Sequence, residues 1–459
     1  MKLAVLGGGG VRMPAFVRGI LSRPAVFGET CLFEPDAFRR ETIGRLAVEL
    51  AGALGRPGVV RVTPDAAEAL SGADFVFSAI RVGGDEGRVI DEDVALRRGL
   101  VGQETTGPGG CAMALRTIPV VLEYCELLAR YAPRAVLINF TNPAGVITQA
   151  ITQHAKVRAV GVCDTPSGTV HRLAQFLQAD PDETAFCYSG LNHLGWISSF
   201  AVRGDEQIGT LLARYEELQQ FDRRFAAFDP GLVRMLRAIP TEYLYYFYEP
   251  QRYVAAVARA GASRGASVRR LNAELLSGIA KAFEAGDVRD AWSAYSTLMG
   301  IRHDSYMRGD MDGDTMPDPA GRPRAADQTL TAGGGGYEAV ALQVIEGLTA
   351  HEASKVIVNT RNGATVGFLE PGDVVEVPAH IDGGGITPLA VGELPRSAQG
   401  LITRVKEYER HVVDAAISGD ANLAALALAL HPLVPGVTVA KEMMSEYRER
   451  HGPHLAYLR

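Results

Sequence analysis

The chain is short of cysteine and tryptophan, carries no excess of basic residues, and has no long uninterrupted apolar stretch. Each shortage excludes something. Five cysteines (Cys31, Cys111, Cys125, Cys163, Cys187) among 459 residues are too few and too scattered for a disulfide framework. Free thiols are expected, most of them buried as small apolar groups. With 46 Lys and Arg against 53 Asp and Glu the formal net charge is −7, and no Lys/Arg block interrupts that balance. A polyanion-binding face is not expected, which removes nucleic acid from the partners considered. No apolar run reaches the ~20 residues a membrane span requires, and the first residues enter a strand without a charged leader and cleavage site. The expectation is a cytoplasmic protein with no membrane partner.

The length is in excess, since single cores stop growing near ~250–300 residues. Two closely joined domains are expected, 1–166 and 167–459. Residues 2–6 read as an apolar strand, followed at once by Gly7, Gly8, Gly9 and Gly10 and an amphipathic run over 14–21. Strand, glycine turn and helix N-terminus make a phosphate cradle: glycine lets the backbone approach an anion, and unpaired helix N–H groups face it. The spacing G-x-G-x-x-G is met only in part, with Arg12 at the third glycine's place, and an ordinary tight turn also accounts for the cluster. The next strand, 30–33, ends in Glu34-Pro35-Asp36, about where an acidic side chain accepts the ribose hydroxyls of NAD; Glu34 is the better placed. A helix at 39–53 and strands at 59–63, 73–80, 135–140 and 157–162 continue the alternation. The fold class expected is α/β, a Rossmann-like doubly wound parallel sheet with a second, mixed α+β domain.

Residues 81–110 break that rhythm, being glycine-rich and charged. They predict a ligand loop at the carboxyl edge of the sheet, most of its charges solvated, followed by a helix over 111–131. Three further stretches end strands in polar groups: VLINFTNP at 136–143, VGVCDTP at 160–166 and LNHL at 191–194. If those ends converge, Asn142, Cys163, Asp164, Asn192 and His193 form a site. Cys163 and His193 are the one Cys/His pair beside strand ends on the cofactor side. A thiolate with a neutral imidazole leaves most positions of a divalent ion open, which suits a catalytic metal that also holds substrate oxygens. A buried thiol beside a hydrogen-bonded imidazole fits the same residues.

The second part predicts antiparallel strands at 185–190 and 196–202, then helices at 207–221, 231–238, 241–248, 252–285 and 287–299. A polar loop at 309–328, a helix at 337–349, strands at 355–359, 364–368 and 374–378, and helices at 397–418, 421–430 and 437–450 follow. TEYLYYFY at 241–248 is an aromatic run of the kind found in cores and interfaces. A tyrosine there can serve as a base if cations lower its pKa from ~10, and Tyr243 lies nearest the expected helix start.

The glycine turn, RVGGDEGR (81–88), GQETTGPGG (102–110), RTIP (116–119), NFTNPA (139–144), CDTP (163–166), NHL (192–194) and the tyrosine run occur in the same order and at similar spacing in glycoside hydrolase family 4. The chain resembles that family from its first strand to its C-terminal helices, and most resembles the 6-phospho-β-glucosidase members. The family departs from two-carboxylate hydrolysis. The resemblance implies NAD and Mn²⁺, or another divalent metal, as cofactors, and a second domain like that of lactate/malate dehydrogenases. It implies hydrolysis of 6-phospho-β-glucosides by NAD-dependent oxidation at carbon 3, deprotonation at carbon 2, elimination, water addition and re-reduction. Gly7–Gly10 and Glu34 match cofactor-binding positions and Cys163 and His193 metal ligands. Tyr243 matches the base, Glu104 a carboxylate that makes it more basic, and Asp164 the acid that protonates the leaving oxygen. Arg88, Asn142 and Asn192 match substrate-binding positions, and Arg264 in SRGAS (263–267) is the candidate for a sugar 6-phosphate, because a guanidinium fork suits a dianion. The implied partner is a small phosphorylated disaccharide or glycoside, and the implied assembly a homodimer or homotetramer.

Two positions depart from the pattern. Gly10 stands where the family's commonest turn carries Ser, and Asp164 follows Cys163 as in many α-specific members, where many β-specific ones carry Asn. Action on α-glycosides or non-phosphorylated glycosides stays open. So do a lactate/malate-type hydroxyacid dehydrogenase and a non-catalytic NAD-binding protein.

Overall fold

The computed structural model describes residues 1–23, 26–313, 337–350 and 353–459. The first six strands are β1 (Lys2–Leu6), β2 (Glu29–Phe33), β3 (Val60–Thr63), β4 (Phe75–Ser78), β5 (Val136–Asn139) and β6 (Arg158–Gly161). They pair in parallel in the order β3-β2-β1-β4-β5-β6, the doubly wound order expected. KLAVL, FVFS and VLIN read as continuous apolar runs because both faces of a parallel sheet are covered. Successive side chains still go to opposite sides: Leu3 and Val5 enter one core, Ala4 and Leu6 the other. Each core also holds residues from the C-terminal part, such as Ile279 and Val344 in the first and Trp196 and Val412 in the second.

The later strands add to this same sheet. They are β7 (Thr184–Leu191), β8 (Leu194–Val202), β9 (Asp205–Glu206), β10 (Ile239–Pro240), β11 (Ser354–Arg361), β12 (Val374–Asp382) and β13 (Gly385–Pro388). Beyond β6 the order runs β11-β12-β7-β8-β10, all antiparallel, so thirteen strands among the described residues form one sheet. The seams are single register pairs, Gly161 with Asn359 and Glu376 with Gly190.

Several elements differ from expectation. The segment expected as a ligand loop contains a helix, Gly84–Leu96, and the helix after it begins at Pro108. Glu86 and Arg97 are exposed as expected, but Arg88, Asp91 and Glu92 are buried. They are paired instead, Arg88 with Glu92 and Asp91 with Arg116 and His451, which is how a charged face enters a core. The helix expected at 252–285 is two, Pro250–Ala260 and Arg264–Glu284, broken where Gly261 takes φ +70° and Ser263 caps the second. Residues 364–368 are turns and not a strand; the Asn362 amide donates to the carbonyls of Val366, Leu369 and Glu370 and so satisfies the backbone locally. The helix expected at 207–221 is also two, Ile208–Ala213 and Tyr215–Phe221. The loop expected at 309–328 lies outside the described residues from 314 on; its first residues belong to a short helix, Arg308–Asp312. No helix among the described residues is long and apolar enough to cross a membrane.

Candidate active site

Two cavities meet at the carboxyl edge of the parallel strands, where open α/β sheets bind ligands. The first, about 570 Å³, runs from the glycine turn to Cys163, Asp164, His193 and Tyr243. The second, about 360 Å³, lies under the helices of the C-terminal part and shares Arg12, Glu104, Asp164, Tyr243 and Arg302 with the first.

The turn after β1 is built for close approach. Gly7 has φ +91°, and a Cβ there would stand 2.7 Å from the Ala79 carbonyl oxygen. The Gly7 and Gly8 N–H groups donate to Phe33 O at 3.2 and 2.8 Å, and Gly9 N–H donates to Glu34 Oε2 at 2.9 Å. A Cβ on Gly9 would collide with the Glu34 side chain at 2.6 Å. The acid that ends β2 therefore braces the turn as well as lining the cavity with Gly7 and Gly10. A cradle of bare backbone closed by a carboxylate fits an adenine dinucleotide.

Cys163 and His193 reach the same cavity from different elements. Cys163 follows β6, and His193 sits at the tip of the β7–β8 hairpin with φ +62°. Burial pushes the Cys163 thiol well above its ordinary range, with the charges of Glu376 and Asp164 acting in the same direction. Burial holds the His193 imidazole down at about 3, so at neutral pH it is uncharged and has a lone pair to offer. Thr105 Oγ1 lies 2.9 Å from His193 Nδ1, which leaves Nε2 for a ligand. No cluster of three or more His, Cys, Asp or Glu able to hold a metal occurs among the described residues. A soft thiolate with a neutral imidazole nonetheless fits a divalent ion that takes its remaining ligands from substrate.

The tyrosine run is a 3₁₀ turn, Glu242–Leu244, followed by one helical turn, Tyr245–Tyr248, and not one helix. That break separates the tyrosines. Tyr245 Oη donates to Asp310 O at 3.0 Å and Tyr246 Oη to Asp310 Oδ2 at 2.7 Å, so both hydroxyls are tied to Asp310, Tyr246 from the wall of the second cavity. Tyr243 instead stacks on His193, ring centroids 3.7 Å apart and planes 4° from parallel. The lowering by cations that the sequence suggested does not occur: burial raises its pKa, against a hydrogen bond with Tyr306, and the charge of Glu104 adds to the rise. Tyr306 Oη in turn donates to Glu242 Oε1 at 3.2 Å.

Glu104 bridges two cations, Arg81 at 2.6 Å and Arg88 at 3.0 Å. Burial would raise its carboxyl, but the two guanidinium groups hold it at about 2. Asn142, before the cis peptide to Pro143, lines the first cavity, and Arg88 the second. Two expected contacts differ. Asn192 lines neither of these cavities; its amide donates to Glu376 at 3.0 Å. Arg264 lines the second, where its terminal nitrogens also donate to the carbonyls of Arg302 and Ser305 and so tie down the end of the helix Val288–Asp304.

That anchoring presents Arg302, which sequence reasoning missed. It donates to Asn272 Oδ1 at 3.0 Å and has no carboxylate within ion-pair distance among the described residues. Burial, then the charges of Arg12, Arg88 and Arg264, lowers its pKa to about 9. A half-buried cation among cations asks for an anionic ligand. Glu376 was missed too, although a lone acid in VVEVPAH was a signal that an apolar strand carries a polar duty.

The sequence model for family 4 glycosyl hydrolases matches residues 2–179, and the model for that family's C-terminal domain matches residues 188–434. A probable 6-phospho-β-glucosidase of Bacillus subtilis (strain 168) is 30% identical over 99% of this chain and 97% of its own length. The structure of a 6-phospho-β-glucosidase from Thermotoga maritima with manganese, NAD⁺ and glucose-6-phosphate superposes with TM-score 0.77 at 26% identity, covering 98% of each chain. A malate dehydrogenase from Plasmodium falciparum, 11% identical, shares the fold with TM-score 0.51 over 92% of this chain and 99% of its own.

Proposed function

This chain belongs to family 4 of the glycosyl hydrolases, and from that premise we propose that it hydrolyses 6-phospho-β-glucosides with NAD and a divalent metal, Mn²⁺ first. The observation that carries the reading is the convergence of Cys163, His193, Asp164 and Tyr243 on one cavity that begins at the glycine turn. Residues 1–166 hold the cofactor and the leaving-group acid; residues 167–459 supply the base, one metal ligand and the anion-binding side chains.

When bound, NAD⁺ supplies a transient oxidation at carbon 3 of the sugar, and a metal held by Cys163 and His193 supplies Lewis-acid polarisation beside it. Everything else falls to side chains. Tyr243 removes the proton on carbon 2: its stacking on His193 fixes the ring, and the charge of Glu104 strengthens it as a base. Asp164 lines both cavities and gives its proton to the leaving oxygen. Arg88 and Asn142 orient sugar hydroxyls. The 6-phosphate meets Arg302, with Arg264 bracing it from behind.

The test is cleavage of 4-nitrophenyl β-D-glucoside 6-phosphate with NAD⁺ and Mn²⁺. Turnover that EDTA stops and that accumulates no NADH supports the reading. Steady NADH production with a 2-hydroxy acid would instead make the chain a dehydrogenase. Asp164 after Cys163 favours a second reading, action on the α-anomer, and the corresponding α-glucoside 6-phosphate separates the two. The cytoplasmic setting, supported by dependence on NAD and five free thiols, and a homodimer or homotetramer, read by light scattering, are part of the same proposal.

A further inference from the structure

One row of residues crosses the sheet beneath the site. Strand register pairs Asn139 with Gly161, Gly161 with Asn359, Asn359 with Glu376, Glu376 with Gly190 and Gly190 with Gly195. The row starts three residues before Asn142, passes two residues before Cys163, and ends in the hairpin that carries His193. Its glycines make room for polar side chains in the row and beside it. A Cβ on Gly161 would stand 2.8 Å from the Asn359 Cβ, and one on Gly195 would stand 2.1 Å from Tyr188 Oη.

Glu376 is the acid of that row and is buried. Its carboxylate accepts from Tyr188 Oη at 2.5 Å, Asn192 Nδ2 at 3.0 Å and Asn359 Nδ2 at 2.9 Å. Of those donors, Asn192 stands in the hairpin turn beside His193 and Tyr188 lies earlier on β7; the third is on β11, whose partner β6 leads to Cys163. Burial raises the carboxyl and the three donors act against it. A buried carboxylate with three donors is held in one geometry, because losing any donor leaves a desolvated acceptor.

We infer that Glu376 is a positioning residue for the metal site, clamping the His193 hairpin through Tyr188 and Asn192 and tying it through Asn359 to the strand that delivers Cys163. The inference rests on the proposed Cys163/His193 metal site. It gives Asn192 a job in place of substrate contact: it transmits the clamp to the neighbouring His193.

The test is Mn²⁺ titration of the NAD-loaded chain, without sugar, followed by electron paramagnetic resonance. Wild type, His193→Ala and Glu376→Gln are compared, with NAD⁺ affinity and melting temperature measured alongside. Gln keeps the shape and presents N–H where an acceptor is needed. The expected result is loss of Mn²⁺ binding in His193→Ala and weakening of roughly 10-fold or more in Glu376→Gln, at unchanged NAD⁺ affinity. A merely structural role lowers melting temperature and leaves the Mn²⁺ affinity of the folded protein within twofold of wild type, and that result overturns the inference. If wild type and His193→Ala bind Mn²⁺ alike, the metal assignment itself fails and the inference falls with it. Should Glu376→Gln not fold, Asn192→Leu cuts the link to the hairpin tip; the same 10-fold loss is expected, and unchanged affinity overturns the inference.

Discussion

Tyr243 differs from its neighbours by what its hydroxyl touches. Tyr245 and Tyr246 spend theirs on Asp310, whereas Tyr243 lines both cavities against His193. Tyr243→Phe is expected to slow turnover by about 10²–10⁴-fold with the melting temperature retained. Tyr245→Phe should cost about 1 kcal/mol or more of stability, by removing its bond to the Asp310 carbonyl, and leave the rate nearly unchanged. The reverse pattern in stopped-time assays and thermal melts would mean the wrong tyrosine has been chosen. Cys163→Ser and His193→Ala should both abolish metal-dependent turnover while NAD⁺ fluorescence titrations stay at the wild-type value; retained activity in either sinks the ligand pair. Behind the site, where it lines a small cavity with Asn192 and His193, His431 offers a pH test. Burial, with the charge of Arg404, lowers its pKa to about 3, and its Nδ1 accepts the Leu433 N–H at 3.1 Å. An unfolded chain takes up a proton there below about 6.5 that the folded chain does not, so stability falls as pH drops from 6.5 towards 3. By pH 5 that is roughly 2 kcal/mol for the one group. Wild type should therefore lose stability relative to His431→Asn between pH 7 and 5, and parallel melts at both pH values would contradict it.

At the level of elements, the glycine turn after β1 makes a separable prediction. A side chain on Gly7 meets backbone, the Ala79 carbonyl, and no rotamer relieves it. Gly7→Ala should weaken NAD⁺ binding at least ~10-fold, on the order of 1–2 kcal/mol for forcing a non-glycine residue to positive φ, while Mn²⁺ binding is retained. Equal loss of both would show the two sites are not independent. This turn was legible because it follows an apolar strand and precedes an amphipathic helix. The helix Gly84–Leu96 was not, because its buried residues include Arg88, Asp91 and Glu92 beside Ile90 and Val94, and periodicity reads charge as solvent. Its partners Arg116 and His451 are 25 and more than 350 residues distant, beyond any local pattern. The break at Gly261 sat in plain view as a glycine followed by Ser263, yet helical periodicity on both sides masked it.

For the molecule as a whole, the parallel order was readable from alternating strands and helices, and the strand-end polar groups other than Asn192 line one cavity. The continuation of the sheet was hidden: β11 and β12 join β6 and β7 through one register pair each, across some 170–200 residues of chain. Such pairing has no sequence period. The same hidden join supplied Glu376, and the helix Val288–Asp304 supplied Arg302, so both missed residues come from elements that reach the site only through tertiary packing. What unites the two halves is a reaction in which a proton leaves carbon 2 of the sugar and returns. Hydrolysis of a 6-phospho-β-glucoside in D₂O, with the glucose 6-phosphate recovered and read by NMR, tests that directly. Deuterium at carbon 2 is the result predicted; product with only protium there would show direct displacement at the anomeric carbon and contradict the account.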